Sequence, residues 1–292
     1  MSDLEAGTPP ASPTTYLRVG VYIVLYVVAA SVSAPAIHWL GGYLLGITLS
    51  QFLSALAANW IALRIYGRLH WAAIGLMWNQ ASAINLALGV AGGMGSAALV
   101  LFPPLAMHAA RLVPASQHRA TWDVFLFTAV SLLIGAAAEE ILFRGYGFQL
   151  LLGAIGPFTT IFTIGALFGL LHGMNPHSTW LGIANTAGFG VLFGWGFLRS
   201  RDLWLPIGLH YGWNFTLPLF GVNLSGLTMK LTGYEMEWNS SPLWSGGAYG
   251  PEGSVLTTIV LLVLSLYIWK APIRTQQSEV LLCAPGSSPS SS

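Results

Sequence analysis

Eight long stretches of this chain are almost free of Asp, Glu, Lys and Arg. They run Tyr16–Pro35, Gly42–Tyr66, Ala83–Ala110, Val124–Phe148, Pro157–Gly173, Trp180–Leu198, Leu203–Val222 and Val255–Trp269. As helices rising about 1.5 Å per residue, they are read as crossing about 30 Å of hydrocarbon. In lipid every backbone N–H and C=O must be paired internally, which leaves helices for such segments. Composition agrees: 11 Lys and Arg and 10 Asp and Glu make up 7% of the 292 residues. Soluble domains carry roughly 25%, and so little charge cannot cover a soluble surface. The expected fold class is all-α, a polytopic membrane bundle of about eight transmembrane helices. A net charge of +1 leaves no electrostatic footprint for nucleic acid.

The chain divides into a disordered tail (1–15), N-terminal transmembrane helices (16–119), a core (120–222), an extracytoplasmic loop (223–254), a last transmembrane helix (255–271) and a disordered tail (272–292). Pro103-Pro104 is expected to break the end of the third span. Tyr16–Ala36 also has the length of a signal peptide, but Asp3 and Glu5 argue against a basic leader. The loop carries Glu235, Glu237 and Glu252, with Trp238 and Trp244 suited to headgroup depth, and reads as a lid or as an ordinary external loop. The one cysteine, Cys283, allows no intramolecular disulfide and is not placed as a prenylation box. Gly165-xxx-Gly169-xxx-Gly173 and Gly190-xxx-Gly194 allow close helix approach.

Lys and Arg set orientation. With the N-terminus inside, the cytoplasmic segments hold Arg18, Arg64, Arg68, Arg199, Arg201, Lys270 and Arg274, and the outer ones Arg111, Arg119 and Lys230. Seven against three places both termini in the cytoplasm, most simply at a plasma membrane.

Three charges break the pattern. Glu139, Glu140 and Arg144 fall inside the fourth span, where a central charge costs at least about 2.5 kcal/mol. Glu140 and Arg144 are four apart and can meet on one face. Glu139 points about 100° away. The plain alternative is that all three lie near a helix end and snorkel. Two further polar stations follow: His172, one turn after Phe168, and His210 with Asn214 one turn beyond. Singly, each histidine reads equally as a packing residue; His38, His70, His108, His118 and His177 read as interfacial or structural. Together, one carboxylate, two imidazoles and a carboxamide can activate water and stabilise an oxyanion, with no serine or cysteine nucleophile.

At these residues the sequence resembles the CPBP family of intramembrane proteases, which includes the type II CAAX prenyl endopeptidases and lysostaphin-resistance-like proteins. Glu139-Glu140-Ile-Leu-Phe-Arg144 matches the EExxxR motif, Phe168 and His172 match FxxxH, and His210 and Asn214 match HxxxN, all within about 120–220. The resemblance implies a helical bundle around a conical intramembrane cavity open to the cytoplasm and to lipid. It implies Glu139 as general base with help from His172, His210 and Asn214 at the oxyanion, Glu140–Arg144 as a supporting ion pair, and Phe168 packing at the site. The implied activity is endopeptidase cleavage of membrane-anchored or lipidated proteins, without a cofactor. A zinc ion on Glu139, His172 and His210 is the alternative, weakened because zinc hydrolases usually carry two ligands close together on one helix. A non-catalytic scaffold or bacteriocin-immunity partner, and a proton relay, are the competing functions.

Overall fold

The computed structural model describes residues 13–67, 70–115, 120–229, 231–278 and 280; Arg68, His118, Arg119, Lys230, Cys283 and most of both expected tails lie outside the described residues. Chain order is α1 (Pro13–Tyr66), α2 (Gln80–Ala106), β1 (Ala110–Pro114), α3 (Trp122–Arg144), α4 (Tyr146–Ile155), α5 (Pro157–His172), α6 (Trp180–Ser200), α7 (Trp204–Leu219), β2 (Tyr234–Trp238), α8 (Pro242–Ser245) and α9 (Val255–Lys270). Gly42, at φ 74°, breaks α1 into two arms, Pro13–Trp39 and Gly42–Tyr66.

Every expected span corresponds to a helix or helix arm. Among the described residues, five segments are long and apolar enough to cross a membrane: the two arms of α1, α2, the run Trp122–Ile155, and α6. The protein is an all-α polytopic membrane bundle with one small sheet. Helices α5, α7 and α9 have 16 residues each, about 24 Å of rise. The first arm of α1 buries little of itself, leaving Leu17, Val24, Val28 and Val32 more than half exposed, as a lipid-facing helix should.

Local chemistry sets the ends. Asn79 caps α2 through a reciprocal pair with Ser82, Thr179 accepts from Gly182 N–H at the start of α6, and Ser254 accepts from Thr257 N–H at the start of α9. Two expectations shift. The helix α2 continues through Pro103-Pro104 to Ala106, and Ala110 begins β1 instead of ending a span. The 223–254 segment is also partly regular: β2 pairs antiparallel with β1, Ala110 opposite Trp238 and Pro114 opposite Tyr234.

The bundle has two faces. The termini face carries the 70–79 and 201–203 connections and residues 271–278. There Leu203 N–H bonds Gly75 O at 3.0 Å, and Asn85 Nδ2 donates to Asp202 Oδ2 and to Arg274 O, both at 2.8 Å. Ser278 Oγ reaches Ala73 O and Gln149 Oε1. Residues 271–278 therefore strap this face, although the sequence assigns 272 onward to a disordered tail. The opposite, sheet face carries β1–β2, the 173–179 turn and the 220–254 segment.

Helices α2 and α7 cross backbone to backbone. A Cβ on Gly93 would stand 2.2 Å from Leu209 O, and one on Gly212 would stand 2.4 Å from Val90 O. Gly89 and Gly208 meet in the same way. Two small-xxx-small stripes, one on each helix, permit this approach, and α7 carries His210 between Gly208 and Gly212. The anticipated stripe on α5 also makes a crossing: Gly165 and Gly169 abut Ala187 and Ile183 of α6, and Gly190 packs on Gly165.

Gly212→Ala should force α2 and α7 apart. The expected cost is about 1–3 kcal/mol of overpacking, with a matching loss of function because His210 and Asn214 move. Gly95→Ala, where nothing lies within 4 Å of the added carbon, should do neither. Thermal unfolding in detergent and a cleavage assay of both variants check this.

Candidate active site

The helix α3 ends at Arg144, and Gly145 (φ −72°, ψ −144°) breaks the path before α4. The break frees carbonyls that a continuous helix would use. Tyr22 Oη donates to Leu142 O at 2.9 Å and Gln149 Nε2 to Arg144 O at 3.0 Å, while Asn59 Nδ2 adds a 3.2 Å bond to Ile141 O, which Gly145 N–H still reaches at 3.1 Å. Asn59 Oδ1 accepts from Tyr146 N–H at 2.8 Å. The sequence reading missed Tyr22 and Asn59, which lie in spans whose only visible signal was hydrophobicity.

This detour solves a depth problem. Glu139 lies late in α3 and His172 ends α5, so two simple antiparallel spans would set them apart. The chain instead runs on from Glu139 through α4 to Ile155, then returns from Pro157 for nearly the same number of residues to His172. The two side chains finish at one level.

Glu140 and Arg144 are fully buried, with Arg144 Nη1 3.1 Å from Glu140 Oε2 and 3.2 Å from Oε1. Arg144 Nη2 donates to Gly190 O on α6 at 2.7 Å. The guanidinium lies over the rings of Phe168 at 5.1 Å and Phe193 at 5.6 Å. Snorkelling is thus excluded for this pair. The sequence reading did not anticipate Phe193, which also stacks on His210 with ring centroids 5.2 Å apart. Phe168, 2% exposed, contacts His172 at 4.6 Å and His210 at 6.0 Å.

The two imidazoles are oriented from behind. His172 Nδ1 lies 2.8 Å from Phe168 O, and a carbonyl only accepts, so that nitrogen carries the proton. His210 Nδ1 lies 2.9 Å from Glu140 Oε1, an oxygen already paired with Arg144, so it donates there. Both Nε2 atoms then face Glu139 Oε2, at 3.8 Å from His172 and 3.9 Å from His210. That oxygen is buried without a hydrogen-bond partner. With Glu139 ionised, Glu139 Oε2 and His172 Nε2 are two acceptors that converge with His210 Nε2 on one point. The gaps are too long for direct hydrogen bonds and suit one shared water, a double donor.

Glu139, His172, His210 and Asn214 all line one cavity of about 440 Å³. Its wall includes Tyr43, Leu44 and Thr48 of α1, and its rim is Met174, Asn175, Pro176, Leu224, Ser225, Leu227 and Met229. All of these rim residues belong to the sheet face. A groove of about 490 Å³ between the arms of α1 shares Tyr26, Tyr43, Ile47 and Gln51 with the cavity.

The rim is held from outside the spans. Glu252 accepts from Ser225 N–H and Ser225 Oγ, both at 3.1 Å, and from Trp213 Nε1 at 3.4 Å. Asn185 Nδ2 donates to Glu252 O and Ser254 O. Burial pushes the Glu252 carboxyl up, and the Ser225 and Trp213 donors only partly oppose it.

Among the described residues, no group of three His, Cys, Asp or Glu side chains is arranged to hold a metal ion. Tetrahedral zinc, with bonds of about 2.0–2.2 Å, would draw Glu139, His172 and His210 closer together than they stand.

The all-α bundle thus sets Glu139, His172, His210 and Asn214 around one cavity. Residues 121–216 match the family model described as type II CAAX prenyl endopeptidase, Rce1-like. The resemblance carried by the three motifs is borne out over that segment, close to the expected core of 120–222, and at family level it denotes a membrane peptidase. No curated protein and no solved structure gives a significant match.

Arg144→Met leaves Glu140 buried with His210 Nδ1 in place of a full counter-charge and should cost about 3–5 kcal/mol. Glu140→Gln combined with Arg144→Met should recover much of that stability but not cleavage, because His210 loses its anionic partner. Thermal unfolding and cleavage of the two variants test this. For Glu252, the folded state keeps a proton that the unfolded chain releases above an ordinary value of 4.5. Its contribution to stability is whole below that value and is lost as pH rises through the raised one. The unfolding temperature should therefore fall with rising pH, less steeply in Glu252→Gln.

Proposed function

We propose that the protein is an intramembrane endopeptidase that hydrolyses peptide bonds of membrane-associated or lipidated proteins with a water activated by Glu139, without a metal. The observation that carries this reading is the unpartnered Glu139 Oε2 facing two imidazole Nε2 atoms at 3.8 and 3.9 Å inside a cavity. An isolated buried acceptor costs stability and calls for a functional explanation.

In the proposed reaction, the water lies against Glu139 Oε2 and His172 Nε2. Its oxygen bonds to the scissile carbonyl carbon while Glu139 takes the proton. His210 acts with both nitrogens protonated: Nδ1–H stays on Glu140 and Nε2–H donates to the tetrahedral oxyanion. Asn214, one turn later on α7 and lining the same cavity, supplies its Nδ2–H to that oxygen. Collapse breaks the C–N bond, and the proton held by Glu139 passes to the leaving nitrogen. Glu140 and Arg144 keep His210 oriented and cationic without adding net charge. The groove along α1 offers a lipid anchor or an apolar segment a lateral path to the cavity. Both termini are assigned to the cytoplasm on the Lys and Arg distribution.

Glu139→Gln keeps the shape of the side chain and removes the base. Cleavage of membrane-protein substrates, followed by comparing protein termini with and without the change, should fall at least about 100-fold, with unchanged insertion and stability. Activity should survive exhaustive chelation. Full activity of Glu139→Gln, or loss on chelation restored by zinc, contradicts the mechanism. A physiological effect that persists without both Glu139 and His172 would favour a scaffold.

A further inference from the structure

Glu252 touches both the cavity mouth and the helix that carries His210 and Asn214. On the mouth side lies a tight turn. Leu224 N–H bonds Leu227 O at 2.9 Å and Leu227 N–H bonds Leu224 O at 2.8 Å, with Ser225 and Gly226 between them at φ 48° and 82°. Two central residues at positive φ make the tip of a narrow hairpin, and Leu224, Ser225 and Leu227 line the cavity. The tip is held from outside: Gly226 N–H donates to Tyr249 O at 2.7 Å, and Ser225 N–H to Glu252 Oε2 at 3.1 Å. A Cβ on Gly226 would strike Pro176 O, so the tip has no room to move toward the 173–179 turn. Glu252 is itself fixed to α6, where Asn185 Nδ2 donates to its backbone O at 2.7 Å.

On the helix side stands Trp213. Its Nε1, at 3.4 Å, and Ser225 Oγ, at 3.1 Å, donate to the same oxygen, Glu252 Oε1. Successive residues of a helix turn by about 100°. Gly208 and Gly212 therefore face α2, His210 and Asn214 face away from it, and Trp213 lies on the flank between. A glycine contact sets how closely two helices approach but offers no side chain to resist rotation of α7 about its axis; Trp213 supplies one. Its ring lies 4.7 Å from Phe189, which lies 5.8 Å from Phe193, the ring stacked on His210. We infer that Glu252 is a positioning residue for the reaction. Through Oε1 it holds the mouth turn and α7 in one register, so that a substrate segment lying against Leu224 and Leu227 meets His210 and Asn214 at a fixed distance and angle. A misplacement of 1 Å can cost about 100-fold in rate. The catalytic half of this inference rests on the peptidase reading; the link between mouth and helix does not.

Amide hydrogen exchange of the full-length protein in detergent, read by mass spectrometry, tests the link. Cleavage, followed by comparing membrane-protein termini, tests its consequence. Glu252→Leu removes the acceptor of all three donors. The expected result is roughly tenfold faster exchange in 222–229 and in 209–216 together, with cleavage reduced about tenfold. Glu252→Gln keeps Oε1 as an acceptor for Ser225 Oγ and Trp213 Nε1, and should restore slow exchange in 209–216 and most of the cleavage. Trp213→Phe keeps an aromatic ring on the flank and removes the Nε1 donor; it should speed exchange in 209–216 and lower cleavage. If Glu252→Leu loses protection throughout α2 and α6 or fails to fold, Trp213→Phe decides alone. Faster exchange confined to 222–229 in Glu252→Leu, or unchanged exchange of 209–216 in Trp213→Phe, overturns the link. Full cleavage with 209–216 loosened overturns the positioning role. An active Glu139→Gln variant would instead remove the peptidase reading and leave the exchange result standing.

Discussion

The buried contact among Arg144, Glu140 and His210 is the constraint on which the rest of the site depends. Two opposite charges with no solvent exposure are tolerable only when their remaining valences are met. Here most are met: Arg144 Nη2 finds Gly190 O and its guanidinium the faces of Phe168 and Phe193, and Glu140 Oε1 finds His210 Nδ1, while Arg144 Nε and Glu140 Oε2 make no hydrogen bond. These contacts tie α3, α5, α6 and α7 together at one point. They also commit His210 to donating backwards, which aims Nε2 at Glu139. The pair thus fixes ring orientation and the charge that the ring can carry, apart from any contribution to stability.

Helix approach makes that contact possible. Glycines on α2 and α7 let the helices touch at the backbone, and glycines on α5 and α6 do the same. Side chains as short as Glu and His can then converge from separate helices. The break at Gly145 adds the required change of path; Tyr22 and Gln149 take up the freed carbonyls and Asn59 accepts from the Tyr146 N–H. Packing, caps and site are parts of one arrangement.

Much of this was legible in the sequence because the solvent is lipid. Charges are so rare that Glu139, Glu140 and Arg144 stand out, and spacing of four placed Glu140 beside Arg144 and His210 beside Asn214 on their helices. The α5–α6 glycine stripe was legible for the same periodic reason. Other parts were not. Phe193, Asn59 and Tyr22 act through contacts across the bundle and look like ordinary span residues. The Gly208–Gly212 stripe flanks His210 in plain view, yet only its partner on α2 gives it meaning. Strand β1 is short and pairs with β2 from across the bundle, so no local hairpin signal marks it. Glu252 resembled a loop acid, but the fold buries it under the rim.

The central claim is that one water is shared by Glu139, His172 and His210. An experimental map of the protein at a resolution that shows ordered solvent tests it most directly. A single peak about 2.6–3.2 Å from Glu139 Oε2 and both Nε2 atoms is the predicted result. A peak at about 2.0–2.2 Å with metal-like density, or rings turned out toward lipid with no common solvent position, would contradict it.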